Sequence, residues 1–304
     1  MEENSVLPLI VILGPTASGK SAVAIKLAQT LGGEIICADS RTVYKGMNIG
    51  TAKPTAEEMQ GVPHWALDLI EPNQRFTLYD FQRYTWQKID EIRSHGHVPM
   101  LVGGSGLYID CTLYNYELTN NEVDLRRRAE LERMSNEELV QKIQQKGLEL
   151  PRDIHNKRRL VRALELGRIN HTRSPRRHDA IVVGIKTDLV TLKQRIAGRG
   201  ETMLRQGLVD EVTTLNRHYG DVEPLKRNIY GVVKKYLRGE IDYEQISDEI
   251  TKVDYHLARK QLTYWRGAAR AKDIWWLPLQ SVAELTTYNC SELMRMYLDN
   301  IEQL

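Results

Sequence analysis

The chain has 304 residues, 41% of them hydrophobic, enough to bury a sizeable core in one large domain or two smaller ones, and its net charge of +2 decides nothing about nucleic acid until the distribution is examined. Cys37, Cys111 and Cys290 have neither zinc-ligand spacing nor an even-numbered disulfide framework, which points to a reducing compartment. The acidic start and an apolar run that ends early at Gly14-Pro15 exclude a signal peptide and a membrane span, so a cytoplasmic protein with no membrane association and no evident protein partner is expected.

The first element is a strand-like run, Val6 to Leu13, and the octet after it reads Gly14-Pro15-Thr16-Ala17-Ser18-Gly19-Lys20-Ser21. This is a complete phosphate-binding loop. Between a strand and a helix it turns successive backbone amides toward one point, where the helix dipole adds partial positive charge. Lys20 reaches an outer phosphate, and the Ser21 hydroxyl is placed to ligate a magnesium ion on the phosphate oxygens. Ala22, Val23, Ile25, Leu27, Ala28 and Leu31 form the apolar stripe of the following helix, which Gly32-Gly33 stops.

Glu34 to Ala38 reads as a second buried strand that delivers Asp39-Ser40 at its carboxyl end, facing the ligand crevice of an open parallel sheet. Asp39 is there either a proton acceptor, a water-mediated partner of magnesium, or a turn-capping residue. The strand Val98 to Val102 runs into Gly103-Gly104-Ser105-Gly106 and lacks the acidic residue that nucleotide hydrolases place at such a strand end. The glycines admit two readings, close approach of a second substrate or a tight turn into a helix.

Basic residues then concentrate. Arg126-Arg127-Arg128 lies in a helix-like stretch from Val123 to Met134, and Arg152 to His178 carries Arg152, Lys157, Arg158, Arg159, Arg162, Arg168, Arg173, Arg176 and Arg177 against Asp153 and Glu165. The readings are a phosphate-backbone contact surface or a solvated helix face; the excess of arginine over lysine favours the first. Ala180 to Ile185 is a further strand, followed by helical stretches Leu189 to Arg195 and Glu201 to His218. Near the end, Tyr255, Leu257, Ala258, Leu262 and Trp265 are interleaved with Arg259, Lys260, Arg266 and Arg270; the readings are a surface that stacks on and neutralises nucleic acid or a helix packed on the main domain with its arginines free to face a ligand, and the second is favoured. The expected fold is α/β, a P-loop NTPase-like parallel sheet flanked by helices. Residues 1–115 and 180–304 form its two parts, and 116–179 is an inserted, mainly helical, basic domain.

The residues resemble the tRNA dimethylallyltransferases, also called isopentenyl-diphosphate:tRNA transferases. The resemblance is carried by the octet, by Ala38 to Pro54, Val102 to Tyr108, Arg158 to Glu165 and Ala258 to Arg266. The blocks follow in the right order over most of the chain, and the run Ala38 to Pro54 is the most specific of them. The resemblance implies transfer of a dimethylallyl group from dimethylallyl diphosphate to the exocyclic amine of the adenosine just 3′ of a tRNA anticodon. It implies a diphosphate site at Gly14, Thr16, Ala17, Ser18, Gly19, Lys20 and Ser21, with Mg2+ on Ser21 and Lys20 neutralising the leaving group. Asp39 becomes the general base, with Ser40, Arg41, Thr42 and Ser105 beside the extruded adenine. Arg158, Arg159, Leu160, Val161 and Arg162 match a tRNA-contacting stretch, so the insertion would clamp the anticodon stem-loop.

Two departures stand out. The turn at His155-Asn156-Lys157 is shorter than is usual in the family, and the usual Gly-Tyr-Lys-Glu block appears as Ile229-Tyr230-Gly231-Val232. The diphosphate-contacting cation near that block is assigned to Arg227, with Lys226 as the alternative. Transfer to a free adenine nucleotide and small-molecule phosphorylation by a P-loop kinase are the competing functions, and the arginine-rich insertion argues against the former.

Overall fold

The computed structural model describes residues 7–116, 118, 124–151, 153–167 and 176–302. In chain order these form β1 (Leu9–Leu13), α1 (Lys20–Leu31), β2 (Gly33–Ala38), α2 (Ala56–Met59), β3 (His64–Trp65), α3 (Leu78–Ser94), β4 (Val98–Gly103) and α4 (Gly106–Leu113). Then come α5 (Leu125–Arg133), α6 (Asn136–Gln145), α7 (Lys157–Leu166), β5 (Ala180–Lys186), α8 (Leu189–Arg205) and α9 (Leu208–Tyr219). The last are α10 (Asn228–Leu237), α11 (Ile246–Trp265), α12 (Ala268–Ala271), β6 (Trp275–Pro278), α13 (Leu279–Glu284) and α14 (Cys290–Glu302). The proposed starts at Val6 and Val123 and the basic residues Arg152, Arg168 and Arg173 lie outside the described residues.

The sheet is six-stranded and parallel, in the order β3-β2-β4-β1-β5-β6. Helices shield both faces of its central strands, so β1 and β4 are buried along their whole length and read as continuous apolar runs rather than alternating ones. The carboxyl ends of β1, β2 and β4 come level, with Leu13 and Ala38 both paired to Gly103. At Gly103 there is no room for a side chain: a Cβ would sit 2.1 Å from the Ala38 carbonyl oxygen. The missing acidic strand end therefore has a steric cause.

The tight turn into a helix is present, since β4 ends at Gly103 and α4 begins at Gly106, and the glycines also have a packing reason. A Cβ on Gly104 would meet the Gln261 side chain at 2.5 Å, and one on Gly106 would meet the Tyr264 ring at 2.4 Å. They are small because α11 packs directly on them. The expected helices at 189–195 and 201–218 are also redrawn. Gly198 and Gly200 do not break the helix; α8 runs through both, with Gly200 seated against Ile250 of α11. The break comes at Gly207, whose φ of 95° suits a residue without Cβ.

The chain divides into two compact units, residues 1–113 with 177–304, and residues 114–176. Arg177 belongs to the first because its amide donates to Leu113 O at 2.9 Å and its guanidinium joins Arg93 on Asp179. It is an internal tie rather than part of a free basic surface. In the larger unit a second core gathers Met47, Leu208, Val212, Ile229, Tyr230 and Ile250, joining α9, α10 and α11 to the segment after β2. The smaller unit packs α5, α6 and α7 around Leu131, Leu139, Ile143, Leu160, Val161 and Leu164. Among the described residues no helix is long and apolar enough to cross a membrane.

Candidate active site

A cavity of about 850 Å³ opens outside the carboxyl ends of the central strands, where ligands of open α/β sheets bind. Of the residues singled out in the sequence, Thr16, Ala17, Gly19, Lys20, Ser21, Asp39, Ser40, Arg41, Thr42, Ser105 and Arg227 line it. Gly14 and Ser18 lie behind the lining. Ser18 is fully buried, its amide donates to Pro15 O at 3.2 Å, and a Cβ on Gly14 would strike its Oγ at 2.8 Å. These two residues shape the loop from within. The loop itself turns through two left-handed residues, Ala17 at φ 61° and Gly19 at φ 91°, and leads into α1.

Lys20 sits half-buried at the base of the cavity, its Nζ 3.4 Å from Pro15 O. Burial pulls its pKa down to about 8, with Asp39 opposing the shift and Arg199 reinforcing it. A diphosphate bound beside it would supply negative charge and restore the ammonium. Binding of inorganic diphosphate is therefore expected to take up protons above about pH 8 and to weaken as the pH rises further. Titration calorimetry in buffers of different ionisation enthalpy reads that uptake; an affinity flat from about pH 7 to about pH 9.5 would sink the assignment.

Asp39 follows β2 directly. Its Oδ1 accepts from the Arg41 amide at 2.8 Å, an arrangement that fixes the carboxylate plane, and the Ser105 Oγ accepts from the Ser40 amide at 3.1 Å. The end of β2 and the glycine segment after β4 are thus tied side chain to backbone. Cys37, on the same wall, has its thiol pushed up to about 12 by burial and is inert as a nucleophile.

The sequence reading passed over the guanidinium nearest the loop. Arg199 donates through Nη1 to Thr16 Oγ1 at 3.0 Å and through Nη2 to Asp254 Oδ2 at 3.1 Å. Arg195, one turn earlier on α8, donates to Ser18 O at 3.3 Å. The four-residue spacing of these arginines was the available signal, hidden by the flanking glycines. Asp254 is almost fully buried, and burial raises its pKa while Arg199 holds it down. Gln261 completes the frame, accepting from the Thr16 amide at 2.8 Å and donating to Gly104 O at 3.1 Å. Arg227 does line the cavity, yet its Nε donates to Glu223 at 2.8 Å and its side chain is 60% exposed; Lys226 pairs with Asp221.

Tyr264 closes the wall on the α11 side. Its hydroxyl donates to the buried Asp110 at 2.6 Å, while Arg270 donates to the same carboxylate oxygen at 2.7 Å and stacks on the ring. Arg270 is thereby engaged within the fold rather than left free to face a ligand.

In the smaller unit, Arg158 and Arg159 are exposed on α7 and have no ion-pair partner among the described residues. Arg162 pairs with Glu165 at 3.1 Å, Arg127 donates to Leu164 O at 2.9 Å, and Arg128 reaches Glu132 and Glu165. Leu160 and Val161 require a correction. Both are buried in the unit's core, at 0% and 1% exposure, so their side chains hold α7 in place and are closed to any ligand at the surface.

Comparison with known proteins gives concordant matches. The family model described as IPP transferase matches residues 42–268, and that described as isopentenyl transferase matches residues 7–72. The tRNA dimethylallyltransferase of Bacillus velezensis is 37% identical over 280 residues, covering 87% of this chain and 89% of its own. That of Bacillus cytotoxicus is 33% identical over 307 residues, covering 95% and 96%. The crystal structure of the tRNA isopentenylpyrophosphate transferase of Bacillus halodurans aligns with TM-score 0.72 at 30% identity, over 98% of this chain and 99% of its own. A eukaryotic dimethylallyltransferase acting on tRNA, 23% identical, shares the fold at TM-score 0.77 over 97% of this chain and 79% of its own.

Proposed function

Because the chain belongs to the family of tRNA dimethylallyltransferases, prenyl-transferring enzymes, we propose that it moves a dimethylallyl group from dimethylallyl diphosphate to the exocyclic amine of the adenosine 3′-adjacent to a tRNA anticodon, giving isopentenyladenosine. The observation that carries this reading is one cavity that brings Asp39 together with the cations Lys20 and Arg199 between apolar walls that include Ile25, Ile35 and Val102. An amphiphilic donor with an anionic leaving group suits such a lining.

The amine nitrogen attacks the donor's first carbon as the carbon–oxygen bond breaks, and the diphosphate leaves with the electron pair. Lys20 and Arg199 meet the charge that grows on it, with the loop amides behind them. Asp39 takes the proton that the amine loses. An aryl amine is a weak nucleophile, so the ties from Ser105 and Arg41 that fix the Asp39 turn matter through positioning.

Magnesium fits the donor set in one way. Among the described residues no cluster of three His, Cys, Asp or Glu side chains converges on a cation, whereas the Ser21 hydroxyl opens α1 at the cavity. In a phosphate loop the Ser hydroxyl is the protein's ligand to Mg2+, so Ser21 would hold the ion, which would supply positive charge toward the leaving group. The smaller unit offers Arg158 and Arg159 to the RNA backbone. A cytoplasmic location is consistent with a tRNA substrate.

The test is incubation with labelled dimethylallyl diphosphate and either an anticodon stem-loop or AMP, with ATP turnover followed in parallel. Label in the stem-loop alone is expected. Label in AMP overturns the tRNA assignment, and phosphate release from ATP without transfer overturns the chemistry. Repeating the RNA titration at rising salt, Arg158→Ala with Arg159→Ala is expected to lower the salt slope by about two. An unchanged slope would return α7 to the status of a solvated surface.

A further inference from the structure

The segment after β2 contains the run most specific to this family, and one carboxylate holds it. Glu211, on α9, accepts from the Asn48 and Ile49 amides through Oε2 at 3.0 and 2.8 Å, and from the Gly50 amide through Oε1 at 3.1 Å. The Tyr230 hydroxyl donates to the same Oε1 at 2.7 Å. Tyr230, buried on α10, also presses against Gly50, where a Cβ would lie 2.6 Å from its ring. Burial and the neighbouring Glu211 carboxylate drive the Tyr230 hydroxyl far above its ordinary pKa, so it remains a donor throughout the working range. The divergent block Ile229-Tyr230-Gly231-Val232 thus retains a task.

We propose that Glu211 is a positioning residue for prenyl transfer: by gathering three successive backbone amides and the Tyr230 hydroxyl, it fixes the cavity wall formed by Gly50, Thr51 and Pro54. The inference rests on the transfer function proposed above. Segment 48–50 belongs to no helix or strand, so a side chain from α9 does for these amides what a sheet ladder does elsewhere. Each carboxylate oxygen serves two donors. A glutamine of the same size has one acceptor oxygen and turns its amide group against the other two donors, which converts two of the four bonds into repulsive contacts.

This asymmetry defines the experiment. The full-length wild type, Glu211→Gln and Tyr230→Phe are assayed with dimethylallyl diphosphate and an anticodon stem-loop, and amide hydrogen exchange is followed at Asn48, Ile49 and Gly50. For Glu211→Gln, kcat is expected to fall by about tenfold or more while the KM for dimethylallyl diphosphate stays within about twofold, because an intact donor site is joined to a displaced wall. Exchange at the three amides is expected to accelerate by about tenfold or more, and Tyr230→Phe, which removes one of the four donors and keeps the ring on Gly50, is expected to change kcat and exchange in the same direction by less than Glu211→Gln does. Wild-type turnover in Glu211→Gln, or unchanged exchange at residues 48–50, overturns the proposal. A wild type that transfers nothing to the stem-loop defeats the function instead, and the exchange arm then decides the role of Glu211 by itself.

Discussion

Asp39→Asn is expected to lower the single-turnover rate of prenyl transfer by about three orders of magnitude while leaving RNA affinity unchanged. Asparagine matches aspartate in shape, and its carbonyl oxygen can still accept the Arg41 amide that holds Asp39 at 2.8 Å. The turn beside Ser40 and Ser105 therefore persists. What disappears is the basic oxygen for the amine proton, at the only step that needs one. Saturating the enzyme with stem-loop and measuring one turnover separates this from any change in binding. A rate within about fivefold of wild type would remove Asp39 from the proton transfer, since positioned general bases contribute far more than that.

The second large effect concerns the cation that the sequence did not advertise. Arg199→Ala removes a guanidinium from Thr16 and Asp254 at once, leaving a nearly fully buried carboxylate uncompensated. The unpaired carboxylate lowers stability, while the lost charge-assisted contact to the ligand costs on the order of 1.5–3 kcal/mol, so the affinity for inorganic diphosphate is expected to drop roughly tenfold or more. Arg199→Lys rescues little, because one ammonium does not reproduce a planar fork that serves two acceptors. Adding Asp254→Asn to Arg199→Ala is expected to recover thermal stability and none of the affinity. Calorimetric binding with unfolding midpoints reads both quantities; affinity that returns with the second substitution would assign Arg199 to scaffolding alone.

What the sequence disclosed and what it concealed follow from how far apart the interacting residues lie. β1, the phosphate loop and α1 are contiguous, and their periodicity and glycines suffice to place them. The strand that presents Asp39 was equally plain as a short apolar run ended by polar residues. The glycines at 103, 104 and 106 announced a close approach but not its author, since Gln261 and Tyr264 come from a helix far along the chain. Arg199 was hidden by a local rule that held in general and failed here. Two glycines usually interrupt a helix, yet Gly200 is where α8 needs a bare Cα against Ile250. In α7, Leu160 and Val161 entered the RNA-contacting stretch by resemblance, although the apolar face shared with Leu164 already marked them for the interior.

The crowding at Gly103 constrains this protein's possible descendants. With the Ala38 carbonyl oxygen 2.1 Å from where a side chain would begin, an acid placed at the tip of β4 cannot be accommodated unless the backbone moves. Drift toward nucleotide hydrolysis by that route would first require β2 and β4 to part along a shared ladder that runs from Gly33 and Val98 to Ala38 and Gly103. Because Asp39 directly follows Ala38 on that ladder, a sheet opened to admit such an acid would also move the residue proposed as the base.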